Sequence, residues 1–493
     1  MRKKIIQKVL PTLLIGALVV SCVVENGKLP QNVKPLCDLS ENEMASWFKS
    51  GTITENGMVT PANSVDFIHK TNCDFYKWSE RMFLWMTSKE QGGKTVFESP
   101  EFYTVSPKVN GQRNLIPHRP NQLLKAVANV DKTGKIISEE GQATDDVLMD
   151  VNGNLVYYIS MVNDVYAEFL NAVHQKKMSG KQFPTTKEER DSIFSFAQHN
   201  GVKLKNPSAL AMEIKTSWVV AESLKNVEDF VTIEATIPVY KKQSNQLWLI
   251  QGERKVKLAL VGMHIVGSAN GHPEMIWATF EHKRNTPNQA YQYLTKDGTI
   301  ETVLEDGNND WLFNSEPRAI NNQSHMTFSG DSIIAKDLCE ITPSNTLRTK
   351  PWGSAVDVKP NAEDATPAAS NSEIIAINNS VISKLKGKDV RKNYIFIGAT
   401  WTENGAGPNG YSYNPTVDSL KVAGVAIGAS QLANSTMETY AQNGDKYNTF
   451  GSCFSCHSNN KGLKPDDLSH VYNGLMKGLP QQPSLAIIDR KKQ

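Results

Sequence analysis

The chain has 493 residues, with 53 basic and 51 acidic side chains and a net charge of +2. So small an excess gives no electrostatic footprint for a nucleic-acid partner. A hydrophobic fraction of 39% over this length is ample for a large packed body, and length as a prior allows roughly two to three domains.

Residues 1–22 read as a bacterial secretory signal. Arg2, Lys3 and Lys4 form the basic end, Val9 to Val20 the apolar stretch, and Leu18-Val19-Val20-Ser21-Cys22 the close. The stretch is too short for a convincing spanning helix. Small Ser21 before Cys22 resembles a lipobox, in which Cys22 is lipidated and becomes the mature N-terminus. Val23 follows where an Asp would signal inner-membrane retention. The expectation is a periplasmic or cell-envelope protein, held to the outer membrane by a lipid on Cys22, with residues 23–33 as tether. No later stretch is apolar enough to cross a bilayer.

Residues 34–90 read as mostly helical with loops. "NCDFYKWSERMFLWMTS" puts Phe75, Trp78, Met82 and Trp85 at helical spacing, a core face rather than a cofactor box. Residues 91–150 are polar and punctuated by Pro, Gly and Asn, hence loop-rich. A turn at Asn152-Gly153, a short strand, a helix to about residue 177 and a second helix over 186–198 follow. From 207 to 283, short β-branched and aromatic runs alternate with turn residues and predict a β-rich centre. Residues 351–372, "PWGSAVDVKPNAEDATPAASNS", read as a loop or linker. A helix near 374–386 and the strand "YIFIGATW" come after it. The fold class is α+β: a helical N-terminal part and a β-rich body over 34–429, then a short α-helical haem c segment over 430–493.

That last expectation rests on Cys453-Phe-Ser-Cys456-His457. Two thiols three residues apart on one turn reach the two vinyl groups of a haem, and the next residue offers its imidazole to the iron. One covalent haem c, bound through Cys453, Cys456 and His457, is the cofactor expected. A thioredoxin-type pair would want a βαβ setting, and a zinc site two further ligands at short spacing; neither is present. Of the other cysteines, Cys37 and Cys73 are the nearest pair for a disulfide in an oxidising compartment, which leaves Cys339 over.

The sixth iron ligand is open. A class I cytochrome c usually supplies a Met several tens of residues after the motif, but only 36 residues follow His457. Met437, His470 and Met476 are the candidates. As one helix, 466–478 places Leu468, Val471, Tyr472, Leu475 and Met476 on one stripe and points His470 away, unless the helix starts at Ser469. Upstream, "SQLANSTMETYAQ" reads as amphipathic, with Ser435 and Glu438 spaced as a capping box.

Several blocks together, "DFYKWSERMFLW", "LVGMHIVG", "IWATFEHKRNTP", "NYIFIGATW", "LANSTMETYAQ", "CFSCH" and "LSHVY", resemble a family of exported bacterial proteins that end in a cytochrome c-type haem motif. The resemblance runs from about residue 74 to 473. It implies haem binding and electron transfer, without an established activity, and it ties body and haem segment into one unit. Met437 and His470 fall in the blocks flanking the haem motif, which favours His470 as sixth ligand over the helical wheel's Met476.

His264 in "GMHIVG" and His282 in "TFEHKRN" lie on two expected neighbouring strands, with Glu281 and Asn285 close by. They are weak candidates for a proton-transfer or metal pocket. Glu281 and His282 face opposite ways on a strand, so both cannot join one cluster. His69, His118, His174, His199, His272 and His325 show no ligand spacing. The function expected is electron transfer with a redox partner protein. The alternatives are a haem-dependent oxidoreductase or peroxidase-like enzyme with a substrate pocket in the body, and a haem sensor without turnover.

Overall fold

The computed structural model describes residues 28–480, apart from 91, 120–122, 127–128, 131–135, 138–145, 308–309, 317–323, 330, 354–366, 413–422, 443–451 and 459–461. Residues 1–22, read above as a secretory signal ending at Cys22, lie outside the described residues. No described helix is long and apolar enough to cross a membrane.

Helix α1 (Glu41–Trp47) and helix α2 (Asn72–Met86) open the described chain. Thr71 and Asp74 close a capping box at the start of α2. The disulfide Cys37–Cys73 ties the segment before α1 to the first turn of α2. Phe75, Trp78, Met82, Phe83, Leu84 and Trp85 are all buried, so the aromatic stripe is core. Short strands β1 (Phe102–Val105) and β2 (Leu115–Pro117) cross the stretch expected to be loop. Gly153 supplies the positive φ for the turn into β3 (Tyr157–Asn163). Helix α3 (Asp164–His174) stops short of 177 because Lys176 takes a left-handed conformation. Helix α4 (Lys187–His199) is capped by Thr186 and Glu189.

The centre is β4 (Met212–Val220), β5 (Thr232–Ser244), the 23-residue β6 (Leu247–Ala269) and β7 (His272–His282). Helix α5 (Pro367–Lys384) leads to β8 (Tyr394–Thr402) and β9 (Ala426–Gly428). Residues 367–372 of the expected linker are thus helical, with Ala368 and Ala369 buried. Ala, Ser and Asn there pack closely, and their side chains bond into the fold. Ser372 donates to the Ala368 carbonyl, and Asn371 to the Gln292 carbonyl.

One large sheet runs β9-β8-β7-β6-β4-β3-β1-β2, with β5 paired to the first half of β6. Its neighbours along this path are antiparallel. The long β6 therefore has β5 beside its first half and β4 and β7 on either side of its second.

One face is apolar: Met161, Ile214, Met263, Ile265, Ala278 and Phe280 all belong to the main core. Helices α2 and α5 cover it. Phe83 stacks on Phe280 at 4.3 Å, and Phe75 on Trp401 at 3.7 Å. Asn378 of α5 exchanges two hydrogen bonds with the Phe396 backbone, which locks helix to strand. The other face is polar at its middle, and the C-terminal segment covers it.

Two predictions follow from the body. The disulfide closes 36 residues of sequence separation, so Cys37→Ser with Cys73→Ser should cost about 2–4 kcal/mol in chemical denaturation. Burial pushes the carboxyls of Glu80 and Glu101 up to about 8 and that of Glu373 to about 7. The native state then holds protons that the unfolded chain releases, so stability falls as pH rises from the ordinary carboxyl range towards 8. Melting temperatures should be higher at pH 5.5 than at pH 8, and Glu80→Gln should flatten that slope by stabilising the protein at pH 8.

Candidate functional site

The polar face consists of three rows of side chains that the strand register sets across β3, β4, β6 and β7. The first row is Tyr158, Ser217, Gly262 and Glu281, the second Ser160, Lys215, His264 and Thr279, and the third Val162, Glu213, Val266 and Trp277. A polar group buried here costs free energy unless it is bonded, so each row needs a specific cover.

Residues 434–438 cover the first two rows. Asn434 donates to Thr279 Oγ1 at 2.9 Å and to the Phe280 carbonyl at 3.0 Å. The Ser435 backbone N–H donates to Glu281 Oε1 at 2.7 Å, and its hydroxyl to Oε2. Thr436 pairs with Ser217 at 2.7 Å and accepts at its carbonyl from the Tyr158 hydroxyl at 2.6 Å. Gly262 makes room: a Cβ there would come within 2.5 Å of Thr436 Oγ1 and 2.6 Å of Ser217 Oγ. On the second row, His264 Nε2 lies 2.9 Å from Glu438 Oε1, while Glu438 Oε2 accepts the Asn434 backbone N–H at 2.9 Å.

This segment is not the amphipathic helix expected from "SQLANSTMETYAQ". It makes turns, because the Ser435 and Glu438 side chains bond to the sheet rather than cap one another. Burial alone would raise the Glu438 carboxyl, but His264 opposite holds it below the usual range. Met437 is fully buried in an apolar cluster with Tyr158, Val219 and Val261, where it serves packing.

The Cys453-x-x-Cys456-His457 turn covers the third row. Ser452 caps helix α6 (Cys453–Cys456), and the His457 N–H closes the turn on the Cys453 carbonyl at 3.1 Å. The body holds both ends: Ser452 donates to the Gly410 carbonyl and Ser458 to the Pro408 carbonyl. Phe454 is fully buried and meets Trp277 edge-on at 5.6 Å. The Trp277 ring also lies 4.4 Å from His457. Cys453 packs against the main core, while Cys456 is exposed; neither is in a disulfide. Burial pushes the Cys453 thiol up and, with His470 adding to it, holds His457 well below its usual range.

The helix expected over 466–478 is broken into α7 (Pro465–Leu468) and α8 (Tyr472–Gly478). In an unbroken helix the Tyr472 N–H would take the Leu468 carbonyl; here it bonds to Ser469 instead. The freed Leu468 carbonyl accepts from His457 Nδ1 at 2.8 Å. Ser469, at the break, donates to Glu213 Oε2 at 2.6 Å and pairs with the Tyr166 hydroxyl at 2.9 Å. Leu468, Val471, Tyr472 and Leu475 form a buried stripe as expected, and Met476 packs against the same apolar cluster.

His470 stacks face to face on His457 at 4.0 Å and 13°, with Nε2 at 3.0 Å from the Cys456 carbonyl. It therefore sits on the flank of the His457 ring. His264 and His282 do not meet. The register opposes His264 to Thr279, and His282 points to the other face, stacked on Phe230 at 3.8 Å and 3.3 Å from the Asp229 carbonyl. Burial holds His282 well below its usual range. Glu281 belongs with Arg348 at 2.8 Å and Asn285 at 3.3 Å, all fully buried.

Glu438, Lys215, Trp277 and Glu213 were not expected in the site. The alternation Glu213-x-Lys215-x-Ser217 is the signal that marks Glu213 and Lys215, since it puts polar groups on one face of a buried strand; no local pattern marks Trp277 or Glu438.

Cys453, Cys456 and His457 are the residues that would hold a c-type haem. With Nδ1 of His457 engaged by a backbone carbonyl, Nε2 is the nitrogen that would bind an iron, and the carbonyl bond fixes the ring, as second-sphere partners of metal-bound histidines do. The neutral imidazole is the ligating form. No three-ligand cluster of His, Cys, Asp and Glu occurs among the described residues.

Removing either side of the Glu281–Arg348 pair should cost about 3–5 kcal/mol in urea unfolding, because the other charge is left buried alone. Gly262→Ala should displace residues 434–438, seen as faster backbone hydrogen exchange there with the sheet still protected.

No family model, no curated protein and no solved structure matches this chain.

Proposed function

We propose that this protein is an exported, lipid-anchored monohaem c-type cytochrome that transfers electrons to or from a redox partner protein. The observation that carries the reading is the Cys-x-x-Cys-His turn, whose His457 is oriented by the Leu468 carbonyl with Nε2 left over. A haem bound there supplies a one-electron redox couple at this edge of the body. Cys453 and Cys456 would hold it covalently and His457 would bind the iron.

The chain's own residues then do three things. Phe454 and Trp277 seat the turn on the sheet, the Pro408 and Gly410 carbonyls fasten its ends, and the Ser469–Glu213 bond fixes the helix break that frees Leu468. Cys456 faces solvent while Cys453 faces the body, so one edge of the site is open to a docking partner. The resemblance to exported cytochrome c-type proteins and the lipobox-like Ser21-Cys22 support the compartment in which such haems are attached.

The test is pyridine haemochrome analysis of denatured protein, produced with a cytochrome c maturation system. One covalent haem per chain is expected in the wild type and none in Cys453→Ser with Cys456→Ser. A wild type without covalent haem, or a double variant that keeps it, would refute the reading. Leu468→Pro should lower haem content, since it disturbs the carbonyl that orients His457, whereas Cys22→Ala should abolish membrane attachment and leave the haem content of the exported protein unchanged.

A further inference from the structure

We infer that His264 is the ligand the body supplies to the sixth position of the haem iron, with Glu438 as the carboxylate that holds its ring. This rests on the haem reading above, and it moves the sixth ligand from the C-terminal segment to the centre of the sheet.

All ten histidines lie among the described residues, so the choice is made between known positions. His282 is behind the sheet. His470 stacks on the flank of His457, whereas a sixth ligand must come to the iron from across the haem plane. Met437 is sealed in an apolar cluster, and Met476 packs in another. Among the three rows of the polar face the one histidine is His264, on the second row under residues 434–438. It is one row from Trp277, the residue whose ring touches His457.

Three features suit His264 to a metal. It is only partly exposed, at 22%, and stands on β6, which is paired on both sides there and cannot swing. One ring nitrogen is engaged by a carboxylate at 2.9 Å, which leaves the other to a ligand; metal-bound histidines are held in this way. Glu438 is itself fixed by the Asn434 N–H, and residues 434–436 are bonded to the sheet at several points. Glu438, 24% exposed at its side chain, accepts two hydrogen bonds, one from the backbone of its own segment and one from His264, so the segment that is pinned to the sheet holds the ring at one angle.

The experiment compares full-length wild type with His264→Ala, Glu438→Gln and His470→Ala by absorption and electron paramagnetic resonance, with haem content read separately by haemochrome. The wild type should be low-spin and six-coordinate, and its ferrous form should not bind carbon monoxide. His264→Ala should become high-spin and bind carbon monoxide at unchanged haem content, and added imidazole should restore the low-spin form. Glu438→Gln should stay low-spin with a raised reduction potential, because the ligand loses its carboxylate partner. His470→Ala should remain low-spin. A low-spin His264→Ala that refuses carbon monoxide, a high-spin wild type, or conversion by His470→Ala instead would each overturn the assignment. Where His264→Ala fails to fold, His264→Met decides: a Met-to-iron charge-transfer band supports the assignment, and a folded haem-loaded variant without one overturns it. Absence of covalent haem from the wild type is seen in the haemochrome before any spin state is read, and it refutes the proposed function itself.

Discussion

Glu281 carries a carboxylate into the middle of a sheet, away from water, and Arg348, Asn285 and Ser435 meet it there. A lone charge in that position would cost several kcal/mol, so the chain that brings Ser435 is bound to that point of the sheet. From this constraint the rest of the C-terminal arrangement follows. With Ser435 fixed, Asn434 reaches Thr279, Thr436 reaches Ser217, and Glu438 arrives at His264. The Cys-x-x-Cys-His turn then falls on the next row of the same face, where Trp277 receives Phe454.

The sheet divides its labour between faces. The apolar face is filled by α2 and α5 and would stabilise the body whatever lay behind it, since burying each large side chain is worth about 1.5–3 kcal/mol. The polar face contributes little by area. Its bonds instead select which segment can cover it and in what register, because an offset of one residue would leave several buried groups unpaired. The Cys-x-x-Cys-His turn is therefore part of the body's own closure.

Much of this was legible in the sequence wherever periodicity was strong. The α2 stripe, the turn at Gly153, the β-rich centre and the strand at "YIFIGATW" all follow from spacing that burial enforces. Two helices expected near the motif did not form as read, and for one reason. Ser435, Glu438 and Ser469 have side chains that make better bonds to the sheet than to their own helix, which no local pattern reveals. The pairing of His264 also escaped, since its partner lies 174 residues away and was assigned to a cap. His282 was grouped with it because the two lie on neighbouring strands, although the pleat sends them to opposite faces.

Cys453 lies against the body, with the ends of its turn fastened to the Pro408 and Gly410 carbonyls and Phe454 sunk beside it. Any group that is to be bonded to that sulfur has to reach it before these contacts close. For the proposed haem this sets an order of events: chemistry on the thiols first, docking of the segment second. On the haem reading proposed above, a turn that closed on the body first would shut the cofactor out, so closure of residues 452–458 has to follow attachment.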